Sequence, residues 1–251
     1  MPHSYEEGTI SIVVPTLNEA ENIEPLVRQL LAAVPHCREI IIVDDGSRDG
    51  TRERVQAMAA TGPVRLLSRD QPTLGLAGAV LAGARAAVGD LVVVLDADLS
   101  HPPDEIRNLV QPLLENRADM VIGSRYVKGG TTPGWPLYRK LMSRVAAGMA
   151  YPLTGVHDSM CGFFAMKRER LLALARAATG FKIAFEAIVS GGRELRVLEV
   201  PIAFRDRARG TSKMNLRVAL VFSFRWFAAA ARLLTRQRAR VSAPTARERA
   251  R

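Results

Sequence analysis

The chain has 251 residues and a formal net charge of +10, yet its two halves carry charge of opposite sign. Residues 1–130 contain 12 basic and 18 acidic side chains and residues 131–251 contain 23 and 7, which predicts an acidic site in the first half and an anionic partner for the second. A hydrophobic content of 48% excludes a disordered chain, and two cysteines 124 positions apart exclude a disulfide framework or a zinc motif.

The first half of the chain alternates between short β-branched runs and amphipathic helical stretches. Strands are predicted at residues 10–14, 40–43, 64–67, 91–95 and 120–122, and helices at residues 21–34, from 51 onward, at 76–88 and at 102–115. Strands that are apolar on both faces and alternate with helices indicate a parallel sheet with helices packed on both sides. In such sheets ligands bind beyond the carboxyl ends of the strands, so we expect the functional residues there.

Two aspartates, Asp96 and Asp98, follow the most apolar of these strands. At the tip of a buried strand, two carboxylates repel each other unless a cation is present. Two oxygen ligands with open coordination positions suit Mg²⁺ or Mn²⁺ that holds a diphosphate. The spacing therefore predicts a metal site, and a capping role for Asp98 is the alternative.

Asp44 and Asp45 follow the second predicted strand, in the sequence DDGS. They could form only a turn and a helix start, or one carboxylate could contact the ribose or base of a nucleotide. The chain has no P-loop, and no G-x-G-x-x-G follows the first strand, so ATPase and NAD-dependent classes lose support. The turn and the nucleotide contact both stay open on these residues alone.

Six motifs together resemble those of the family 2 glycosyltransferases of the GT-A fold, and more narrowly those of the polyprenol (dolichyl) phosphate mannosyltransferases. They are PTLNE at residues 15–19, VDDGS at 43–47, DADLSHPP at 96–103, GSRY at 123–126, DSMCGFF at 158–164 and RARGTSK at 207–213. The resemblance covers about residues 9–214. It implies an α/β fold of the GT-A (Rossmann-like) type, whose mostly parallel sheet has helices on both faces.

The resemblance also implies which residues bind the donor. The residues that would line the nucleotide pocket are Pro15, Thr16, Glu19 and Asp45. Asp44 would support them. Asp96 and Asp98 would hold Mg²⁺ or Mn²⁺ on the donor diphosphate. Arg207 and Lys213 would close over that diphosphate. Ser100 stands where relatives often have a glutamine that can join the metal shell, so its contact with the metal is left open.

On the acceptor side, the resemblance implies that Arg125, Arg139 and Ser143 face a phosphate. A phosphate monoester, with a second pKa of about 6, is already anionic near neutrality, so it needs arginines and no general base. The excess of arginine in the second half favours such an acceptor, and direct displacement would invert the anomeric centre. Asp158 has two interpretations, a brace within the site and a general base.

The second half also predicts contact with an anionic membrane surface. Residues 127–135 are either a surface loop or an acceptor loop at the bilayer, with Trp135 and Tyr138 at headgroup depth. A helix over residues 142–153 would then run along the membrane. Residues 215–234 are apolar but interrupted by arginines, which suits a helix lying in the interface, and a globular C-terminal helix is the alternative.

The expected organisation is a GT-A catalytic domain over residues 1–214, an amphipathic interface helix over 215–235 and a basic tail over 236–251. No run of 18 uncharged apolar residues is present, so a spanning helix is not expected. We expect a peripheral protein at the cytoplasmic face of a membrane, attached directly or through a membrane-anchoring protein.

These observations predict metal-dependent, inverting transfer of mannose from GDP-mannose to a polyprenyl phosphate. One rival is a polyprenyl-phosphate glucosyltransferase that uses UDP-glucose, since the pocket residues do not decide the base or the hexose. Another is a GT-A transferase with a hydroxyl acceptor. Such enzymes often carry Gln-x-x-Arg-Trp, and here Phe222 stands at the glutamine position. A nucleic-acid-binding module lacks its usual motifs and its acidic half would repel a polyanion, so nucleic acid is not an expected partner.

Overall fold

The computed structural model describes residues 10–174 and 182–206. Its strands are β1 Ile10–Thr16, β2 Glu39–Asp44, β3 Val64–Ser68, β4 Leu91–Val94, β5 Met120–Ser124, β6 Phe164–Lys167 and β7 Val197–Pro201. Its helices are α1 Ala20–Ala33, α2 Thr51–Ala59, α3 Gly75–Ala86, α4 Ile106–Leu114, α5 Leu137–Thr154, α6 Arg168–Leu174 and α7 Ile183–Gly191. Arg207, Lys213 and the predicted segments 215–235 and 236–251 lie outside the described residues.

The described strands form one sheet in the order β3-β2-β1-β4-β6-β5-β7. β1 pairs in parallel with β2 and β4, β2 with β3, and β5 with β7. β6 runs antiparallel between β4 and β5. The predicted mostly parallel sheet is confirmed, but β6 and β7 were not predicted from the sequence.

The central strands form because helices cover both of their faces. Every residue of β1, β2 and β4 is buried, which explains their continuous β-branched runs. α3 packs closely on β1 because Gly83 has no side chain. A Cβ atom at Gly83 would lie 2.4 Å from Cγ1 of Val13. This close approach fixes α3 against the strands that carry the site.

The reversed direction of β6 brings a distant segment to the site. Phe164, the first residue of β6, pairs with Val94, the last residue of β4. The segment before β6 therefore meets the carboxyl end of β4. A Cβ atom at Gly162 would lie 3.2 Å from Oδ1 of Asp96, a tighter contact than usual, so the glycine lets this segment approach the carboxylate closely. The motif at residues 158–164 thus reaches the edge of the sheet where the chemistry was expected.

Two helices begin at positions that differ from the predictions. α5 begins at Leu137, not at 142, because Pro136 supplies a fixed φ of −61° immediately before the first turn. α4 begins at Ile106, after a 3₁₀ turn over Pro103–Glu105. Within the described ranges, no helix combines the length and the apolarity that crossing a bilayer requires.

Candidate active site

The loops after β1 and β2 are tied together at the predicted nucleotide pocket. The amide N–H of Asn18 donates to Oγ of Ser47 at 2.8 Å, and Oδ1 of Asn18 accepts from the amide of Arg48 at 2.9 Å. The amide N–H of Asp45 donates to the carbonyl of Thr16 at 3.0 Å. Asn18 adopts a φ of 54°, a conformation that asparagine tolerates better than most residues. These bonds hold the two loops in one fixed arrangement.

Asp44 and Asp45 have different roles in this arrangement. Asp44 accepts from the amides of Gly46 and Ser47 and from Nε of Arg52, the last at 2.5 Å. Burial alone would raise the pKa of Asp44, but these hydrogen bonds outweigh it and lower the pKa. Asp44 therefore braces the loop after β2, and its supporting role in a nucleotide pocket stays a prediction.

Asp45 lies next to Asp44 but has a free acceptor. Its Oδ1 is buried and has no hydrogen-bond partner among the described residues, although Nη1 of Arg69 lies 3.3 Å away. Burial raises the pKa of Asp45, while Arg69 opposes that change. A buried carboxylate oxygen without a donor suits a ligand N–H or hydroxyl.

The remaining predicted pocket residues lie beside these aspartates. Pro15 and Thr16 are buried at the end of β1, and the Thr16 hydroxyl donates to the carbonyl of Val14 at 3.1 Å. Glu19 is half-buried and accepts from Nδ2 of Asn22 at 2.7 Å. The structure thus brings all five predicted nucleotide residues to one end of neighbouring strands, since β1 pairs with β2.

The predicted metal ligands follow β4. The side chain of Asp96 is 36% exposed, whereas Asp98 and Ser100 are buried. The amide of Ser100 donates to Oδ1 of Asp98 at 3.1 Å, and Leu99 between them adopts a φ of 61°. Strain of this kind in a leucine is typical of functional sites.

The residues present fit a divalent cation that is shared with a bound diphosphate. Oγ of Ser100 is buried and has no hydrogen-bond partner among the described residues, so the site holds an uncommitted oxygen beside two carboxylates. The part of the chain that the structure describes contains no cluster of three or more His, Cys, Asp or Glu side chains that could hold a metal alone. A cation here would therefore need further oxygens from the ligand or from water, as Mg²⁺ usually does.

His101 is a site residue that the sequence analysis missed. Its Nδ1 accepts from the amide of Asp96 at 3.1 Å, and its ring contacts the rings of Phe163 and Phe204 at centroid distances of 5.3 and 5.2 Å. Burial lowers its pKa, so the ring is neutral and its proton lies on Nε2, 3.8 Å from Sγ of Cys161. The signal that could have found it is its place three residues after Asp98, within the motif at residues 96–103.

Arg125 and Asp158 form a buried ion pair on the acceptor side. Both carboxylate oxygens of Asp158 accept, from Nε, Nη2 and the amide of Arg125 at 2.7 to 2.9 Å. Burial would lower the pKa of Arg125, but its bonds to Asp158 outweigh that effect and raise it. A carboxylate committed in this way has the contacts of a brace, not those of a general base.

Arg139 and Ser143 also have partners in this structure. Arg139 forms an ion pair with Asp206, and its guanidinium carbon lies 3.9 Å from the centroid of the Trp135 ring. Oγ of Ser143 accepts from the hydroxyl of Tyr126 at 2.5 Å.

The structure corrects the prediction that Trp135 lies at headgroup depth. Trp135 is only 7% exposed and packs against Phe204 at a centroid distance of 5.3 Å. Tyr138, by contrast, is 68% exposed. Burial of Trp135 against aromatic and arginine side chains is more favourable than its exposure at the surface, because burial removes a large apolar area from water.

A pocket of about 220 Å³ lies between the loop after β5 and the first turns of α5. Its lining residues are Arg125, Tyr126, Gly130, Thr131, Thr132, Trp135, Lys140 and Arg144. The lining contains three cations and no carboxylate. The pocket therefore suits an anion, and sequence reasoning named only one of its three cations.

Comparisons with known proteins identify the family and the relatives of this chain. The sequence model of "Glycosyl transferase family 2" matches residues 11–173. The dolichol-phosphate mannosyltransferase of Pyrococcus furiosus is 41% identical over 211 residues, 82% of this chain but only 59% of the relative's length. The corresponding Saccharomyces cerevisiae enzyme is 38% identical, with 84% of this chain and 83% of the relative covered. The polyprenol monophosphomannose synthase of Mycolicibacterium smegmatis is 36% identical, with 86% and 85% covered.

Among solved structures, glucosyl-3-phosphoglycerate synthase from Mycobacterium tuberculosis, in complex with Mn²⁺, UDP-glucose and glycerol 3-phosphate, is similar to this chain. It is 26% identical, with a TM-score of 0.66 over 88% of this chain and 78% of that one.

Proposed function

The chain belongs to glycosyl transferase family 2, and from that premise we propose that it transfers mannose from GDP-mannose to a polyprenyl phosphate, with inversion at the anomeric carbon. One observation carries the proposal: two different sites lie beyond the carboxyl ends of the strands. A pair of carboxylates follows β4, and near it a pocket is lined by cations and contains no carboxylate in its lining. The first arrangement suits a diphosphate donor and the second an anionic acceptor. Because the chain spans 59% of the Pyrococcus relative, the activity of the whole protein is part of this proposal.

On the donor side, Asp96 and Asp98 would hold Mg²⁺ or Mn²⁺. The cation supplies positive charge to the leaving nucleoside diphosphate, which becomes more negative as the sugar departs. Leu99 and His101 hold the two carboxylates through the backbone, by a left-handed φ and by an accepted amide hydrogen bond. Asp45 would accept a hydrogen bond from the base or the ribose through its free Oδ1.

On the acceptor side, a phosphate oxygen would attack the anomeric carbon without losing a proton first. The second pKa of a phosphate monoester is about 6, so the nucleophile is already an anion at neutral pH. The site needs cations to position it, and Arg125 and Arg139 are two of them. Asp158 supports this reading because both of its oxygens already accept from Arg125.

The lipid part of the acceptor would lie along an exposed apolar stripe on α5. Leu137, Leu141, Val145 and Met149 recur every fourth residue on one face and are 83, 65, 54 and 42% exposed. An amphipathic helix of this kind lies in the interface of a membrane and does not cross it. We infer peripheral attachment at a cytoplasmic membrane face, directly or through a membrane-anchoring protein.

A second candidate is transfer of glucose from UDP-glucose to the same acceptor. The similar synthase that was solved with Mn²⁺ and UDP-glucose favours it. The residues at the nucleotide pocket bind a base and a ribose in either case, so the assay must offer both donors.

The test uses the full chain, a short polyprenyl phosphate, Mg²⁺ or Mn²⁺ and radiolabelled GDP-mannose or UDP-glucose. We expect label from GDP-mannose, and not from UDP-glucose, in the organic phase. Asp98→Asn should lower kcat by at least about a thousandfold, since it removes a ligand of the charge-stabilising cation. Asp104→Asn, an exposed carboxylate in the adjoining 3₁₀ turn, is the matched control and should keep full activity. Label from UDP-glucose alone, or a fully active Asp98→Asn, would overturn the assignment.

A further inference from the structure

The cation-lined pocket contains two basic residues that have no role in the proposed reaction as described above. Lys140 and Arg144 lie one turn apart on α5 and line the pocket together with Arg125. Lys140 is half-buried and Arg144 is exposed. Their side chains make no ion pair with any residue that the structure describes.

The arginines expected to bind the acceptor phosphate are already engaged. Nε and Nη2 of Arg125 both donate to Asp158. Arg139 forms an ion pair with Asp206 and lies over the ring of Trp135. Lys140 and Arg144 are instead the pocket cations that no carboxylate of the described ranges 10–174 and 182–206 neutralises. Like charges four residues apart on a helix repel each other, so an anion between them also relieves that repulsion.

We propose that Lys140 and Arg144 bind the phosphate of the acceptor as a monoester dianion and hold it beside Arg125. This inference rests on the proposed function. Because Asp158 neutralises Arg125, the lining carries two net positive charges, which match the two negative charges of a phosphate monoester. A phosphodiester of a bulk lipid carries one, so the pair favours the acceptor over its surroundings.

The position of the pair also fits the shape of such an acceptor. Leu137 and Leu141 of the apolar stripe precede Lys140 and Arg144 by three residues, so stripe and cations are neighbouring faces of one helix. An acceptor whose hydrocarbon chain lies along the stripe meets the pair with its headgroup. The hydroxyls of Thr131 and Thr132 line the same pocket and supply further donors to phosphate oxygens.

The test measures the steady-state kinetics of Lys140→Gln, Arg144→Gln and the double variant with polyprenyl phosphate in detergent. Each single change should raise the acceptor KM about tenfold, because it removes one charge-assisted hydrogen bond to the phosphate. The kcat and the donor KM should stay unchanged. Lys140→Arg and Arg144→Lys should restore most of the affinity because they keep the charge. An acceptor KM within about twofold of the wild type in the double variant would overturn the inference.

Matched controls lie at the opposite edge of the sheet. Lys167 and Arg38 are exposed, Lys167 pairs with the first residue of β4, and Arg38 directly precedes β2. Lys167→Gln and Arg38→Gln remove the same charges and should leave the acceptor KM as it is. If Lys167→Gln and Arg38→Gln raise the acceptor KM as much as Lys140→Gln and Arg144→Gln do, the effect comes from net charge and the pocket assignment is wrong.

Two binding measurements separate the inference from the proposed function. Inorganic phosphate, titrated without donor or acceptor, should bind the wild type and lose affinity about tenfold in each Gln variant. Vesicles that contain phosphatidylglycerol but no polyprenyl phosphate should bind the variants as well as the wild type. Loss of vesicle binding with unchanged phosphate affinity would assign the pair to bulk lipid and overturn the inference. Absence of any label transfer by the wild type overturns the proposed function instead, and phosphate binding then still tests the pair.

Discussion

At the scale of single residues, charges in the site are set by their partners more than by their type. Four carboxylates near the carboxyl ends of the strands differ in how they are engaged, in three ways. Asp44 and Asp158 are consumed as braces, Asp45 keeps a free oxygen and Asp96 remains partly exposed. A brace needs its charge for stability, whereas a catalytic group needs it for turnover. This difference makes the role of Asp158 measurable.

Asp158→Asn should destabilise the protein by about 3–5 kcal/mol, because it leaves the guanidinium of Arg125 buried without a counter-charge. The free energy of unfolding from urea denaturation measures this effect. Asp206→Asn is the matched control, since it removes the partner of Arg139 in a more exposed pair and should cost about 1 kcal/mol or less. Unchanged stability with abolished turnover in Asp158→Asn would instead identify Asp158 as the general base.

At the scale of elements, α5 has three different faces. Ala147 and Ala150 are buried against the domain, Lys140 and Arg144 line the pocket, and the stripe that begins at Leu137 is exposed. A helix with little apolar burial of its own is stabilised poorly by packing, so its exposed stripe needs another apolar surface.

Replacing Leu137 and Leu141 together by glutamine should weaken binding to phosphatidylglycerol vesicles at least about tenfold, since each exposed leucine contributes on the order of 1 kcal/mol when buried in lipid. Vesicle flotation measures the partition coefficient. Leu114→Gln changes a leucine that is 42% exposed at the end of α4 and serves as the control. Equal binding by the double variant and the wild type would exclude the stripe as the membrane contact.

At the scale of the whole molecule, a buried carboxylate connects the strands at their amino ends, on the side of the sheet away from the site. Glu39, at the start of β2, accepts from the hydroxyl of Ser11 and the amide of Val88, both at 2.8 Å, and from Arg65. Burial would raise the pKa of Glu39, but these bonds outweigh it and hold the pKa below its ordinary value of 4.5. One side chain thus joins β1, β2, β3 and the turn before β4.

A lowered pKa in the folded state stabilises the protein above the unfolded value and loses that contribution as the pH falls through the folded value. Wild-type stability should therefore fall between about pH 5 and pH 3. Glu39→Gln should be less stable by about 2 kcal/mol at pH 7, and that difference should shrink at pH 3. Urea denaturation across this range measures both effects, with Glu24→Gln, a change at a partly exposed surface ion pair, as control. A difference that stays constant with pH would contradict the role of the charge.

The sequence by itself determined the fold class and, through it, where the proposed donor site is predicted to lie. Alternating strands and helices require a parallel sheet, and parallel strands bring their carboxyl ends to one edge. Asp45 and Asp96 could therefore be predicted to share one site from their positions alone, since Asp45 directly follows the buried strand β2 and Asp96 lies two residues after the buried strand β4. Local periodicity carries this information because it depends only on which face of each element is apolar.

Only the tertiary structure decided how the acceptor side is built. The pairing of Arg125 with Asp158 across 33 positions depends on β6 running against its neighbours, and a strand of four residues gives no sequence signal for its direction. The burial of Trp135 and the exposure of Lys140 and Arg144 to one pocket depend on where α5 begins and on what packs beneath it. These are long-range contacts, whose energies come from the partner surfaces and not from the local chain. For that reason the sequence pointed to the carboxylates and to Arg125 and Arg139, while the place of Lys140 and Arg144 in the same pocket as Arg125 became visible only in the fold.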